Sequence, residues 1–227
     1  MSSFAPLHII SGYTFLQSGL TMDRISNSVK KQDYFGMGLT DKNVIFGAHE
    51  FANIAQKINK PYILGCDITI ENNNISLFVK SETGYRNLLK IIFAIQKEEL
   101  SIKDLQDNHE GLIAIIETKY GDFKTNFDEL NDNKKFAHYL FKFADNYNDD
   151  FYLGIEVTSK EDVAYANKIR KFADEFTYKC VAFPRIKYEK KNDAIVLDIV
   201  DAIANDQKIE LKAKEGQEYF MLESDYK

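Results

Sequence analysis

Histidines and cysteines, which often act as metal ligands or nucleophiles, are few in this chain and widely spaced. The histidines are His8, His49, His109 and His138, and the cysteines are Cys66 and Cys180. No glycine-rich phosphate loop, Walker motif or Ser-His-Asp arrangement accompanies them. Asp41 differs from these residues in its setting, because it closes the apolar run that starts at Phe35. A functional site in an α/β protein is built at the carboxyl ends of its strands, and Asp41 lies at such a position.

The other candidates have simpler interpretations. His49 and His138 fall inside predicted helices, where we expect surface or partly packed side chains, and His109 lies in a polar turn without recognisable partners. Both cysteines belong to predicted strands, where a free cysteine usually behaves as a small buried apolar group. Two cysteines are too few for a disulfide framework, which favours a reducing, cytoplasmic setting.

Strands and helices alternate along the whole chain. Apolar runs predict strands at Phe35–Asp41, Tyr62–Ile70, Ile75–Lys80, Gly111–Glu117, Phe151–Val157 and Cys180–Ile186, with a last short strand at Glu218–Ser224. Helical spacing predicts helices at Arg24–Lys31, Gly47–Asn59, Thr83–Leu100, Ser101–Asn108, Lys134–Tyr147, Lys160–Phe176 and Asp193–Ala204. The polar region 119–133 is expected to be irregular. About seven strand–helix units predict an α/β fold with a mostly parallel sheet. Periodicity does not distinguish a closed barrel from an open sheet.

The charge balance argues against a surface that grips nucleic acid. The net charge is −6 and the isoelectric point is about 5.3, whereas proteins that hold DNA normally show a basic face. Apolar runs are too short to cross a membrane, and the first ten residues lack the pattern of a secretory signal. The sequence therefore predicts a cytoplasmic protein that does not hold the duplex by itself.

Four segments carry a family resemblance. Leu7–Leu20, Leu39–Phe51, Pro61–Ile70 and Gly84–Ile91 resemble, in order and spacing, blocks of the PHP (polymerase and histidinol phosphatase) domain as it occurs in bacterial DNA polymerase III alpha subunits. Weaker similarity continues to the end of the chain. The resemblance implies that residues 1–227 form one PHP domain with a distorted seven-stranded (βα) barrel, and that they are an N-terminal fragment of a much longer polymerase.

Active members of this family bind two or three metal ions through histidine and carboxylate ligands at strand ends. By the resemblance, His8, Asp41 and Asp67 match ligand positions, Asp67 as a shortened glutamate. Ile10, Lys42, Arg185 and Lys187 stand where the family has ligands, and by a looser alignment Asn74 replaces another histidine. Because the protein's contribution to such a cluster is its set of ligands, these replacements predict that the metal chemistry has been lost.

Two interpretations of the remaining positions are open. His8, Asp41 and Asp67 could hold one residual Zn or Mn ion, since three protein ligands can suffice. The favoured alternative is a polar cluster that binds no metal. In it, Lys42 and either Arg185 or Lys187 pair with Asp41 and Asp67 and replace the charge of the ions.

The resemblance implies two competing functions. The first is a noncatalytic structural and interaction domain of a DNA-directed DNA polymerase, a nucleotidyltransferase whose catalytic residues lie outside these 227 residues. Its partners would be the remaining polymerase domains and other replisome subunits, and it would meet DNA only through the full-length polymerase. The second is a metal-dependent phosphoesterase, either a proofreading 3′–5′ exonuclease or an enzyme similar to histidinol phosphatase. The lost ligands favour the first, with no cofactor and no catalytic residue in this segment.

Overall fold

A computed structural model describes residues 4–208 and shows an α/β fold. The helices are α1 (Met22–Lys31), α2 (Ala48–Lys57), α3 (Glu82–Gln96), α4 (Ile102–Asp107), α5 (Gly121–Leu130), α6 (Asn133–Ala144), α7 (Lys160–Phe176) and α8 (Ile195–Ala204). The strands are β1 (Met37–Lys42), β2 (Tyr62–Ile70), β3 (Asn73–Val79), β4 (Leu112–Glu117), β5 (Phe151–Ile155) and β6 (Lys179–Ala182). None of the helices in this part of the chain has the length and apolar character needed to cross a membrane.

The six strands form one mixed sheet in the order β1-β2-β3-β4-β5-β6, instead of the mostly parallel sheet that alternation predicts. β3 is antiparallel to both β2 and β4, and β4, β5 and β6 are parallel. The turn between β2 and β3 explains the first reversal. It consists of Glu71 and Asn72, both with positive φ, and a two-residue turn of this kind joins antiparallel strands.

Between residues 4 and 208 the sheet has six strands, and six of the seven predicted strands fall in this range. The segment around Ile9 makes only isolated parallel bridges, to Leu39 and Ile186. β6 ends at Ala182, although the apolar run predicts a strand as far as Ile186, and Pro184 explains this because it has no N–H to donate. The predicted strand Glu218–Ser224 lies outside the described residues.

The chain divides into two compact units. Among the described residues, unit 1 comprises 4–64 and 184–208, and unit 2 comprises 65–183. The core of unit 1 is a cluster of buried apolar side chains from α1, β1, α2 and the bridged segments, namely Ile9, Leu20, Met22, Ile25, Val29, Tyr34, Met37, Leu39, Phe51, Ala55 and Ile186. At the start of α1, the Thr21 side chain accepts a hydrogen bond from the backbone N–H of Arg24 and so caps the helix.

Unit 2 packs helices against the sheet from β2 to β6. Cys66, Ile68, Leu77 and Ile116 are all buried, and α3 lies against β3 and β4. A second apolar layer joins α5, α6 and α7 through edge-to-face aromatic contacts, such as Phe123 with Phe136 at a centroid distance of 4.9 Å. α5 lies in the region predicted to be irregular, so that prediction was wrong.

Candidate functional site

In unit 1, the candidate residue Asp41 lies near the carboxyl end of β1 and is almost completely buried, with 1% of its surface exposed. Its carboxylate accepts hydrogen bonds from a loop that begins directly after the Ile9 segment. The Ser11 backbone N–H donates to Oδ1 at 2.8 Å, the Ser11 hydroxyl lies 3.0 and 2.8 Å from Oδ1 and Oδ2, and the Thr14 hydroxyl donates to Oδ1 at 2.8 Å. These donors compensate for the loss of water around a buried negative charge.

The same loop is tied down by further hydroxyl contacts. Thr14 Oγ1 also accepts the backbone N–H of Lys42 at 3.0 Å, so one threonine joins the loop to β1 twice. Ser18 Oγ lies 2.6 Å from the Ile10 carbonyl and 2.9 Å from the Lys187 carbonyl. The loop is therefore fixed by Ser11, Thr14 and Ser18, three buried hydroxyl residues that sequence reasoning missed.

The backbone of unit 1 brings four of the predicted positions together. The Ile186 N–H donates to the His8 carbonyl at 2.9 Å, and the Ile10 N–H donates to the Ile186 carbonyl at 3.0 Å. His8 and Ile10 are buried, and Arg185 and Lys187, on either side of Ile186, are partly buried. The positions at which the resemblance implies ligand replacement are thus neighbours along two bridged segments.

In unit 2, Asp67 lies on β2 and is 7% exposed. The Ser76 hydroxyl, on the facing residue of β3, donates to its Oδ1. Asn74, two residues earlier on β3, has Nδ2 3.5 Å from Glu117 Oε2. Facing residues of neighbouring strands share a side of the sheet, so Asp67, Ser76, Asn74 and Glu117 all lie on one face.

Two buried acids of unit 2 were missed from the sequence. Glu117 ends β4 and Glu156 follows β5, and they are 6% and 8% exposed. Glu117 faces Gly154 across the parallel β4–β5 pair, and Glu156 lies two residues beyond Gly154, on the same side of the sheet. Each of these acids closes a run of apolar strand residues, as Asp41 does, and that pattern could have identified them.

The remaining histidines and cysteines lie where no site is formed. His49 and His138 are exposed on helices, and Cys66 is buried among apolar side chains, as predicted. Cys180 is exposed instead of buried, because β6 is the last strand of the sheet. His109 does have partners, since its Nδ1 lies 2.6 Å from the Gln106 carbonyl and its ring contacts a buried tyrosine.

Unit 1 contains two of the three candidate ligands. It offers His8 and Asp41, with Ile10 and Lys42 at positions where a cluster would need further ligands. Both Asp41 oxygens accept hydroxyl protons, although Oδ2, with a single such bond, keeps a lone pair that could meet an ion. In unit 2 the side chains on the polar face are carboxylates, an amide and a hydroxyl, without a histidine.

Comparison with known proteins gives a consistent relationship. The PHP domain family matches residues 6–159. The DNA polymerase III subunit alpha of Bacillus subtilis (strain 168) is 27% identical over 237 residues, covering 88% of this chain and 20% of that protein. The corresponding subunit of Aquifex aeolicus (strain VF5) is 24% identical, again covering 88% and 20%. The chain thus spans about a fifth of the length of these relatives.

Solved structures share the fold at low sequence identity. An amidohydrolase from Chromobacterium violaceum, with bound sulfate and no metal, has a TM-score of 0.53 at 11% identity, covering 81% of this chain and 87% of that one. A Bifidobacterium adolescentis protein described as a metal-dependent phosphoesterase also has a TM-score of 0.53, at 9% identity, covering 83% and 89%. At such identities the similarity establishes the fold alone.

Proposed function

Because this chain belongs to the PHP domain family, and its relatives over nearly its whole length are DNA polymerase III alpha subunits, we propose that it is the PHP domain of such a subunit. In this proposal it supports DNA-directed DNA synthesis as a structural and interaction domain. The family's distorted barrel and its place at the N-terminus of a longer polymerase belong to the same proposal. Nucleotidyl transfer would be carried out by other domains of that polymerase.

The observation that carries the proposal is the environment of Asp41. A carboxylate with 1% exposure needs compensation for lost hydration, and here Ser11 and Thr14 provide it. With these bonds in place, the negative charge of Asp41 is compensated without an ion. Ile10 supports the same conclusion, since an isoleucine offers no ligand atom. No step of phosphoester hydrolysis is therefore assigned to this domain.

The partners follow from the proposal. The first would be the remaining domains of the polymerase chain, and other replisome subunits are further candidates. With a net charge of −6, the domain by itself would bind duplex DNA weakly, because phosphate contacts dominate such affinity. Contact with DNA would occur through the full-length polymerase.

The experiment measures metal content and hydrolysis on the purified chain. Elemental analysis after dialysis against Zn²⁺ or Mn²⁺ should find substoichiometric metal, and a phosphomonoester and a 3′-recessed primer should both remain intact. A chelator should leave the melting temperature unchanged. Two variants are compared with the unaltered chain. His8→Ala changes a buried candidate ligand, and His138→Ala, at an exposed position on α6, is the control.

The second candidate function, a metal-dependent phosphoesterase, is favoured by the polar face of unit 2. There Asp67, Glu117 and Glu156 are buried carboxylates on one side of a sheet, and oxygen ligands suit Mn²⁺. Metal-dependent turnover that disappears in Glu117→Gln and persists in His138→Ala would establish this function and refute the first. Chelator-sensitive melting with a tolerated Lys42→Ala would show that an ion, and not a side-chain cation, neutralises Asp41.

A further inference from the structure

The outward face of α3 carries a row of large exposed apolar side chains. The helix buries Gly84, Asn87, Leu88 and Ile91 against β3 and β4. On the opposite side Tyr85, Leu89 and Phe93 are 38%, 42% and 61% exposed. Residues four apart on a helix are neighbours, so these three side chains form a continuous strip about 12 Å long, which we call the α3 strip. Contiguous apolar surface of this kind marks an interaction site more often than isolated exposed residues do.

Two lysines lie beside the α3 strip, and neither forms an ion pair with a carboxylate among the described residues. Lys90 Nζ lies 3.1 Å from the Asn87 side-chain oxygen, and Lys97 Nζ lies 4.5 Å from the centre of the Phe93 ring. Other lysines of unit 2, such as Lys80 and Lys103, form ion pairs with aspartates. On and directly after α3, Lys90 and Lys97 therefore place positive charge beside its exposed apolar residues, with Glu98 and Glu99 next along the chain.

We propose that the α3 strip is a docking surface for an amphipathic helix of another protein, with apolar residues at four-residue spacing and acidic residues beside them. The apolar row would pack against Tyr85, Leu89 and Phe93, as in helix–helix recognition. The acidic residues would pair with Lys90 and Lys97. Such charge pairs select the partner and its orientation more than they raise the affinity.

A second copy of this chain fits the surface less well. In a symmetric pair centred on Leu89, Lys90 of one copy would lie close to Lys90 of the other, because a two-fold axis places a residue near its own equivalent. Like charges at the centre of a small interface are unfavourable. Charge complementarity therefore favours an acidic partner.

The test uses two fluorescein-labelled peptides of about 16 residues, long enough to be partly helical. Both carry leucine at four-residue spacing, flanked by glutamate in one and by lysine in the other. Fluorescence anisotropy with the purified chain should show binding of the glutamate peptide and at least about tenfold weaker binding of the lysine peptide, or about 1.4 kcal/mol. Raising the salt concentration should reduce this difference.

Three variants assign the binding to the α3 strip. Leu89→Ser combined with Phe93→Ser should weaken glutamate-peptide binding at least about tenfold, since central apolar anchors dominate small interfaces. Lys90→Glu combined with Lys97→Glu should reverse the preference between the peptides. Phe141→Ser, at a 53% exposed phenylalanine on α6, is the matched control and should change neither affinity.

Other outcomes overturn the proposal. These are equal binding of both peptides, no binding at about 1 mM chain, equal loss in Phe141→Ser, or self-association of the chain that the double serine variant abolishes. The proposal concerns the outer face of α3 and does not depend on whether the domain has lost its metal chemistry. Metal-dependent turnover would therefore not contradict the docking proposal.

Discussion

Thr14→Val tests whether hydroxyl donors stabilise the buried Asp41. Valine keeps the shape of threonine and removes only the hydroxyl, which donates to Asp41 Oδ1 at 2.8 Å and accepts the Lys42 N–H at 3.0 Å. Thr14 itself is 3% exposed, so water cannot easily replace the lost group. We expect clear destabilisation with the fold retained.

The magnitude follows from the two bonds. A hydrogen bond to a charged group contributes about 1.5–3 kcal/mol, and an N–H left without an acceptor in a partly buried position costs about 1 kcal/mol more. The free energy of unfolding should therefore fall by about 2.5–4 kcal/mol, a large part of the 5–15 kcal/mol typical of a domain. Asp41→Asn should cost a similar amount, because its amide group would place a donor against the Ser11 N–H or a hydroxyl.

Urea unfolding, followed by far-UV circular dichroism and by fluorescence of the 13 tyrosines, measures this free energy. The control is Thr125→Val on α5, whose exposed hydroxyl bonds the Gly121 carbonyl at 3.3 Å and should contribute less than about 0.5 kcal/mol. If Thr14→Val and Thr125→Val unfold at the same urea concentration, Asp41 does not depend on its loop donors and the reasoning is refuted.

Three further predictions concern unit 2. Burial would raise the pKa of Asp162, but hydrogen bonds from Lys119 and from Thr158 hold that pKa well below its ordinary value. Asp162→Asn should therefore lower the free energy of unfolding by about 1–3 kcal/mol at pH 7. Urea titrations should show this difference from the wild type shrinking as the pH falls below about 4. Tyr147→Phe should leave urea stability unchanged or raise it by up to about 1 kcal/mol, because burial raises the pKa of this tyrosine and its hydroxyl has no partner between residues 4 and 208. Gly84→Ala should strongly destabilise the chain or prevent folding, seen by circular dichroism, because a Cβ there would lie 1.8 Å from the Gly111 carbonyl oxygen.

Helices with clear periodicity and capping residues were predictable from the sequence. α7 runs from Lys160 to Phe176, the same limits that helical spacing predicts, and Ser159 forms a capping box with Asp162. Both signals are local, because a cap and an apolar stripe depend on residues three or four positions apart. The same holds for α1 and its cap at Thr21.

Features that depend on distant contacts were not predictable. α5 was missed because its sequence is polar apart from Phe123 and Phe127, whose partners Phe136 and Phe172 come from later helices. The turn after β2 predicts the hairpin of β2 and β3, which the structure confirms, but the antiparallel pairing of β3 with β4 was missed because alternation counts strands without giving their direction. Cys180 was expected to be buried, since nothing in a four-residue strand shows that it is the last in its sheet.

At the candidate site, too, the sequence predicts what is local and misses what depends on distant contacts, as Asp41 shows. Its position after an apolar run identified it, but its hydrogen-bond partner Ser11 is 30 residues away and carries no motif. A buried carboxylate that loses its metal becomes an uncompensated charge, costing several kcal/mol unless donors replace the ion. Ser11 and Thr14 are such donors, and they also anchor the loop to β1. We infer that an acid in this setting is retained because it holds the loop in place, so a surviving ligand position is not by itself a sign of surviving metal chemistry.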